Sequence, residues 1–264
     1  MKQLSKRIFL LLFIFFLTGC AVRSVYVPTS QNILLFDDKK QVQANAFIGS
    51  NHIELQLAHN PADHFTIGFH TNYGAGLSIY EGALGLYNYS GEDKKWRYEL
   101  QAGYNYTDNY SIQNHPWFNV FNDTKLNFET ISLYSKYSLQ PALGYFGKID
   151  MYKLTYSFTI SCRASYIYFN RYVYREINEQ QSQLQNTTVY WLKVEYKNKN
   201  LFLLEPCITN KIGRKNLFGL IQGQFMIPYS KQIDVSYTKF SPVFILSLGI
   251  QYNIVFRNQK NSKK

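Results

Sequence analysis

The chain has 264 residues, with 28 Lys and Arg against 17 Asp and Glu, and three cysteines. That length suits one large domain or two small ones, and three cysteines exclude a disulfide framework. After the opening twenty residues no apolar run reaches eighteen, which excludes helical membrane spans there.

The chain opens with Lys2, Lys6 and Arg7, followed by ten apolar residues, 8–17, that end in Leu17-Thr18-Gly19-Cys20. A basic start, a short apolar run and small residues at its end are the parts of a secretory signal. The run is also too short to cross a bilayer core of about 30 Å as a helix. The ending resembles the lipobox of bacterial lipoproteins, whose Cys is acylated on its thiol and whose leader is cut just before it. The resemblance implies a signal peptide over 1–19, Cys20 as the lipid-bearing first residue, and a covalent lipid such as palmitate as the protein's only added group. Ala21, where an Asp would favour inner-membrane retention by the rule for enteric lipoproteins, directs the expectation to the outer membrane.

Removing the leader takes three basic and no acidic side chains, so the mature charge is +8. For an exported protein the matching partners are acidic lipid head groups or lipopolysaccharide phosphates rather than nucleic acid. Part of the excess lies in the tail 257–264, which reads as solvated.

Residues 20–40 have no sustained alternation and contain Pro28, so they read as a lipidated tether, placed on the periplasmic side. Tyr26-Val27-Pro28-Thr29, Asn32, Leu35-Phe36 and Lys39, then Gly49-Ser50-Asn51 and 58–64, form a pattern that resembles lipidated barrel proteins common in Bacteroidetes. Leu204-Glu205-Pro206 and the last strand fit it more loosely. Asp37-Asp38-Lys39-Lys40 departs from it, where one basic-acidic pair is expected. The resemblance implies architecture and location and carries over no catalytic residue.

From Gln41 the hydrophobic period is two. Trp96, Tyr98, Leu100, Ala102, Tyr104 and Tyr106 alternate with Arg97, Glu99, Gln101, Gly103, Asn105 and Thr107. Tyr152 to Tyr168 and Phe244 to Phe256 repeat the rule, each with one wholly apolar face. Soluble strands cluster near 5 to 6 residues, and membrane-spanning strands need about 9 to 11, a length these runs reach. Aromatics gather at the run ends, and the polar faces carry mainly Ser, Thr, Gly, Asn and Gln, as in a barrel with lipid outside and a confined lumen. The expected fold is an all-β, antiparallel, membrane-type barrel over 41–256.

Strands are predicted at 41–49, 52–59, 64–72, 78–89, 95–107, 128–141, 150–169, 188–197, 201–209, 216–227 and 243–256. Single-chain bacterial barrels have even strand numbers, so the expected count is ten or twelve. Short turns are predicted at 60–63, 90–93 and 197–200, each with the Pro, Gly, Asn or Asp that tight reversals use. Long loops are predicted at 108–127 and 170–187, on the opposite, external side.

Candidate sites are sparse. His52, His59, His64 and His70 cluster in sequence, and His59 with His64 and Asp63 across a turn is a weak metal candidate, short of the three or four ligands zinc needs. No metal site is therefore assigned. Arg97, Glu99, Glu129, Lys153, Arg163, Lys193 and Glu195 are expected to face the lumen and interlock as a plug, with an open polar pore as the alternative. Cys162 and Cys207 leave one disulfide open. No Gly-x-Ser-x-Gly, His-Glu-x-x-His, phosphate loop or Cys-x-x-Cys occurs, and Ser111, His115 and Asp123 share a loop without a recognised motif, so no catalysis is expected.

Tyr104, Tyr106, Tyr110, Trp117, Phe118 and Phe121 offer an aromatic surface for a glycan or a protein. The expected function is a structural or surface-interaction role through the long external loops. The alternatives are a narrow solute-binding or transport barrel and a soluble lipocalin-like, ligand-binding lipoprotein domain.

Overall fold

The computed structural model describes residues 29–31, 41–49, 52–74, 77–91, 94–114, 127–149, 154–177, 190–231 and 243–255. Ten strands run in chain order: β1 (Gln41–Gly49), β2 (His52–Ala62), β3 (Phe65–Gly74), β4 (Leu77–Ser90), β5 (Trp96–Asn114), β6 (Asn127–Ile149), β7 (Leu154–Ile177), β8 (Tyr190–Arg214), β9 (Leu217–Tyr229) and β10 (Val243–Val255). Each pairs antiparallel with the next, and β1 pairs with β10 from Gln41↔Val255 to Gly49↔Ser247, which closes the barrel. The all-β antiparallel barrel expected from the period-two pattern is the fold.

The alternation decides which way each strand faces. On β9, Phe218, Leu220, Gln222, Gln224 and Met226 are buried, and Leu217, Ile221, Phe225 and Ile227 are exposed. Across the barrel the exposed set includes Leu55, Leu57, Leu84, Leu100, Leu139, Ile160, Ile208, Leu248 and Ile250. The buried set includes Gln43, Gln56, Thr66, Gln101, Gln140, Ser161, Thr209 and Gln251. A soluble barrel would reverse this, with apolar side chains inside. The outer face is an apolar girdle, bordered at the turn end by Trp96, Tyr145 and Tyr156, whose rings pack at 5.1 and 6.2 Å.

Two sequence expectations are corrected. The spans 188–197 and 201–209 are one strand, β8, and 197–200 is not a reversal. Lys197 pairs with Arg171 and Lys199 with Phe169, so the ladder runs through. Asn198, at φ 52°, absorbs the irregularity in the left-handed region that Asn tolerates. Below it Leu201 and Leu203 point inward; above it Val194 and Tyr196 take over the packing against the same inner cluster. On β7 the register with β6 shifts by one residue at Asn170, between the pairs Tyr134↔Phe169 and Leu133↔Arg171, as a bulge does. Both strands therefore change facing at one level, which looks like a chain break in sequence.

The expected long loops are also shorter than read. β5 continues to Asn114 and β7 to Ile177. β5 to β8 have 19, 23, 24 and 25 residues, against 9 to 14 for β1 to β4. Their turn ends are level with those of the short strands, so the surplus stands out at the loop end as a four-stranded projection. At its root Tyr134, Ile167, Phe169, Tyr172, Leu201, Leu203 and Met226 form a buried apolar cluster on the β6–β9 wall.

Candidate functional site

The chemistry of this molecule is concentrated in the lumen. Toward the turn end, Arg97 of β5 lies over the rings of Tyr87 (4.5 Å) and Tyr89 (5.1 Å), and Lys211 of β8 lies over Phe218 (4.3 Å). Both cations gain from the ring faces in a site screened from bulk water. Gln101 Nε2 donates to Glu99 Oε1 at 3.0 Å, and Asn60 Nδ2 donates to the Tyr87 hydroxyl at 3.2 Å. Higher on the wall, Glu81 of β4 pairs with Lys136 of β6 and lies 3.5 Å from His70 Nε2 of β3.

The middle of the lumen is occupied by the chain's own Thr29-Ser30-Gln31, whose residues are 0%, 2% and 1% exposed. The Gln222 carboxamide binds the Gln31 backbone in both directions: Gln31 N–H donates to Oε1 (2.9 Å), and Nε2 donates to Gln31 O (3.0 Å). Ser161 Oγ donates to Gln31 Oε1 at 2.6 Å, and Gln31 Nε2 donates to the Glu205 carbonyl. Ser30 N–H donates to Glu54 Oε2 (2.7 Å), Gln56 Nε2 donates to Ser30 O (3.2 Å), and the Ser30 and Ser247 hydroxyls are 3.4 Å apart. Arg163 Nη2 donates to Thr29 O at 2.7 Å.

The strands are prepared for this segment. The β8–β9 register skips Glu205 and Pro206 between Leu204↔Ile227 and Cys207↔Gln224. Proline has no N–H to give a ladder, so the local pairing opens and the Glu205 carbonyl accepts from Gln31 instead. The β6–β7 register likewise skips Gln140 and Pro141, opposite Arg163. Arg163 holds Glu205 by Nε–Oε2 (2.8 Å) and Nη2–Oε1 (3.0 Å), and Ser165 and Gln224 also donate to that carboxylate. Such a charge-assisted fork fixes both side chains in direction as well as distance.

Of the interior charges read from sequence, Arg97, Glu99 and Arg163 face the lumen. Glu195 does not; it lies on the projection, half exposed, with Arg171 at 3.9 Å. It was misassigned because the facing of β8 changes at Asn198. Lys153 lies outside the described residues, and of Glu129 and Lys193 only the strands are described. Glu54, Glu81, Lys136, Glu205 and Lys211 were missed, although each occupies the polar phase of an alternating run.

His59 and His64 are not brought together. His59 is paired in register with Ile67, and its Nδ1 lies 3.1 Å from Gln41 O on β1; His64 Nδ1 lies 2.9 Å from Tyr87 O on β4. Asp63 is exposed in the turn. Among the described residues no three metal-ligating side chains gather. Cys162 faces outward and Cys207 into the lumen, from opposite faces of neighbouring strands, and both are free thiols. Tyr104 and Tyr106 are on the outer face of β5, with Tyr104 packed on Tyr137 at 5.2 Å. Ser111 and Tyr110 belong to β5 rather than to a loop. Cys20, His115, Trp117, Phe118, Phe121 and Asp123 lie outside the described residues.

The chain is a closed, ten-stranded antiparallel β-barrel of membrane type, apolar outside and polar within. No family model and no curated protein matches it. Among solved structures it is similar to the N-terminal β-barrel domain of Pseudomonas aeruginosa OprF, with 11% identity and a TM-score of 0.31 over 82% of this chain and 98% of that one. It is also similar to the KdgM porin (8%, TM-score 0.32, 82% and 99%) and to the NanC porin (10%, TM-score 0.34, 81% and 98%). The fold itself stands on the closed register of this chain, from β1 round to β10.

Proposed function

We propose that this protein is a lipid-anchored barrel of the bacterial outer membrane whose role is structural or interactive at the cell surface. The observation that carries it is the projection of β5 to β8 beyond the girdle at the loop end. A strand needs about 9 to 11 residues to cross the bilayer, so strands of 19 to 25 residues have about half their length to spare. Lipid on Cys20 fits the lipobox-like ending and would add a second, independent hold on the membrane. Trp117, Phe118 and Phe121 fall in sequence between β5 and β6, the first two of the projecting strands, and are the proposed contacts for a partner.

The test uses intact cells. A single Cys is introduced at 119 in one strain and at 92, in the β4–β5 turn, in another, and each is treated with a membrane-impermeant maleimide. Labelling at 119 with none at 92 is expected. Labelling at 92 alone would invert the barrel and end the surface reading.

A further inference from the structure

We propose that the lumen is a channel held shut by the protein's own Thr29-Ser30-Gln31, and that release of this segment opens a path for small ions and polar solutes. The segment bridges opposite walls. It binds Glu54 and Gln56 of β2 on one side and Ser161 and Arg163 of β7 on the other, and β2 and β7 stand five strands apart either way around the ring. A chain crossing the full width at mid-strand leaves no straight passage.

Its hold is of a kind that water can replace. Every contact described above is a hydrogen bond between polar groups, and no apolar side chain belongs to the segment. Exchange of such bonds for bonds to water changes the free energy little, whereas an apolar plug would resist hydration. The wall is also suited to water. Thr66, Asn72 and Thr159 are fully buried, and their side-chain polar atoms have no hydrogen-bond partner among the described residues. Groups of this kind are normally satisfied, and a lumen containing water satisfies them.

The apolar cluster above the segment occupies the β6–β9 wall alone. At that level the facing wall carries Asn72 on β3 and Asn105 and Thr107 on β5, with Ile79 of β4 between them, so the wall there is mainly polar with one apolar side chain. Among the described residues the buried charges on the wall are balanced: Glu54, Glu81, Glu99 and Glu205 against Arg97, Lys136, Arg163 and Lys211. An opened lumen would therefore discriminate weakly between cations and anions. Nine residues, 32–40, join Gln31 to the start of β1 at the turn end, and this length limits how far the released segment travels.

The experiment is conductance of the purified full chain in planar lipid bilayers bathed in potassium chloride. The unaltered protein is expected to stay closed for most of the record. Thr29→Gly/Ser30→Gly/Gln31→Gly, and separately Gln222→Ala, should raise open probability at least tenfold. Ser30→Cys/Ser247→Cys, in an opened Gln222→Ala/Cys162→Ser/Cys207→Ser background, joins segment to wall; oxidised it should close the channel, and reduction should return it to the open probability of the same background without the pair. The proposal is overturned if the triple glycine variant migrates as a folded, heat-modifiable barrel and still does not conduct. It is equally overturned if the cross-link forms and conductance is unaffected. Neither failure touches the surface reading, which the labelling experiment tests alone.

Discussion

Glu205 of β8 ties β7, β9 and the lumenal segment together. Its carboxylate accepts from Arg163, Ser165 and Gln224, and its carbonyl accepts from Gln31. Glu205→Ala removes both carboxylate acceptors of the Arg163 fork. Breaking one side of a buried pair typically costs about 3–5 kcal/mol, and access of water to the lumen brings the expectation here to the low end, about 3 kcal/mol. Arg163→Met/Glu205→Met should cost less than the single change, because no bare charge remains. Urea unfolding of the protein in lipid vesicles, followed by tryptophan fluorescence, measures both. Equal losses would mean the pair adds nothing beyond its hydrogen bonds.

Sequence made Arg163 visible, as a charge in the polar phase between Cys162 and Ala164. Glu205 falls within the predicted strand 201–209, as part of Leu204-Glu205-Pro206, but is not among the expected lumen charges, and nothing in the sequence shows that Pro206 releases its carbonyl. Thr29 to Gln31 were not legible at all. The segment binds through backbone atoms and one glutamine, and a binding mode of that kind leaves no period or composition for a sequence to reveal.

At the scale of the element, the outward phase of each strand should respond to charge according to its depth. Leu139 lies mid-girdle on β6, paired with Ala102 and Ala164, whereas Ile212 lies two residues from the β8–β9 turn. An Arg on the lipid face costs about 2–4 kcal/mol at the midplane and about 0–1 near the interface. Leu139→Arg should therefore destabilise the barrel several times more than Ile212→Arg in the same unfolding assay. Similar costs at both sites would mean that the girdle does not face a bilayer.

Strands such as β1 and β10 were legible because their alternation is unbroken and their ends coincide with loops or termini. β8 was not, because Lys197-Asn198-Lys199-Asn200 has the composition of a turn while its backbone keeps the ladder. The projection of β5 to β8 was underestimated for a related reason. Above the girdle both faces of a strand meet water or protein, so the two-residue period that lipid imposes fades while the hydrogen bonds continue.

For the whole molecule, the proposed lipid on Cys20 would give membrane residence a second source beside the strands, and the two can be separated. Acyl chains add about 0.8 kcal/mol per buried methylene, one giving a reversible hold and two a stable one, which matters most for a domain with no other contact to the bilayer. A closed barrel with an apolar outer face needs no such help, since leaving it would expose Leu, Ile and aromatic side chains on all ten strands at once. Carbonate extraction of membranes from cells making a Cys20→Ala chain with an ordinary cleavable signal should leave the protein in the pellet. On the same proposal the lipid would have a different task, to tether the upstream end of the lumenal segment, which begins at Thr29, rather than to hold the barrel. Thr29 is nine residues beyond Cys20, so an anchored Cys20 ties the upstream end of the lumenal segment to a membrane surface. Loss of the lipid should consequently change the occupancy of the lumen and not the residence of the barrel, and conductance of the Cys20→Ala protein should exceed that of the acylated one. Release into the supernatant would instead make the lipid the principal anchor and the apolar girdle an interface with something other than a bilayer.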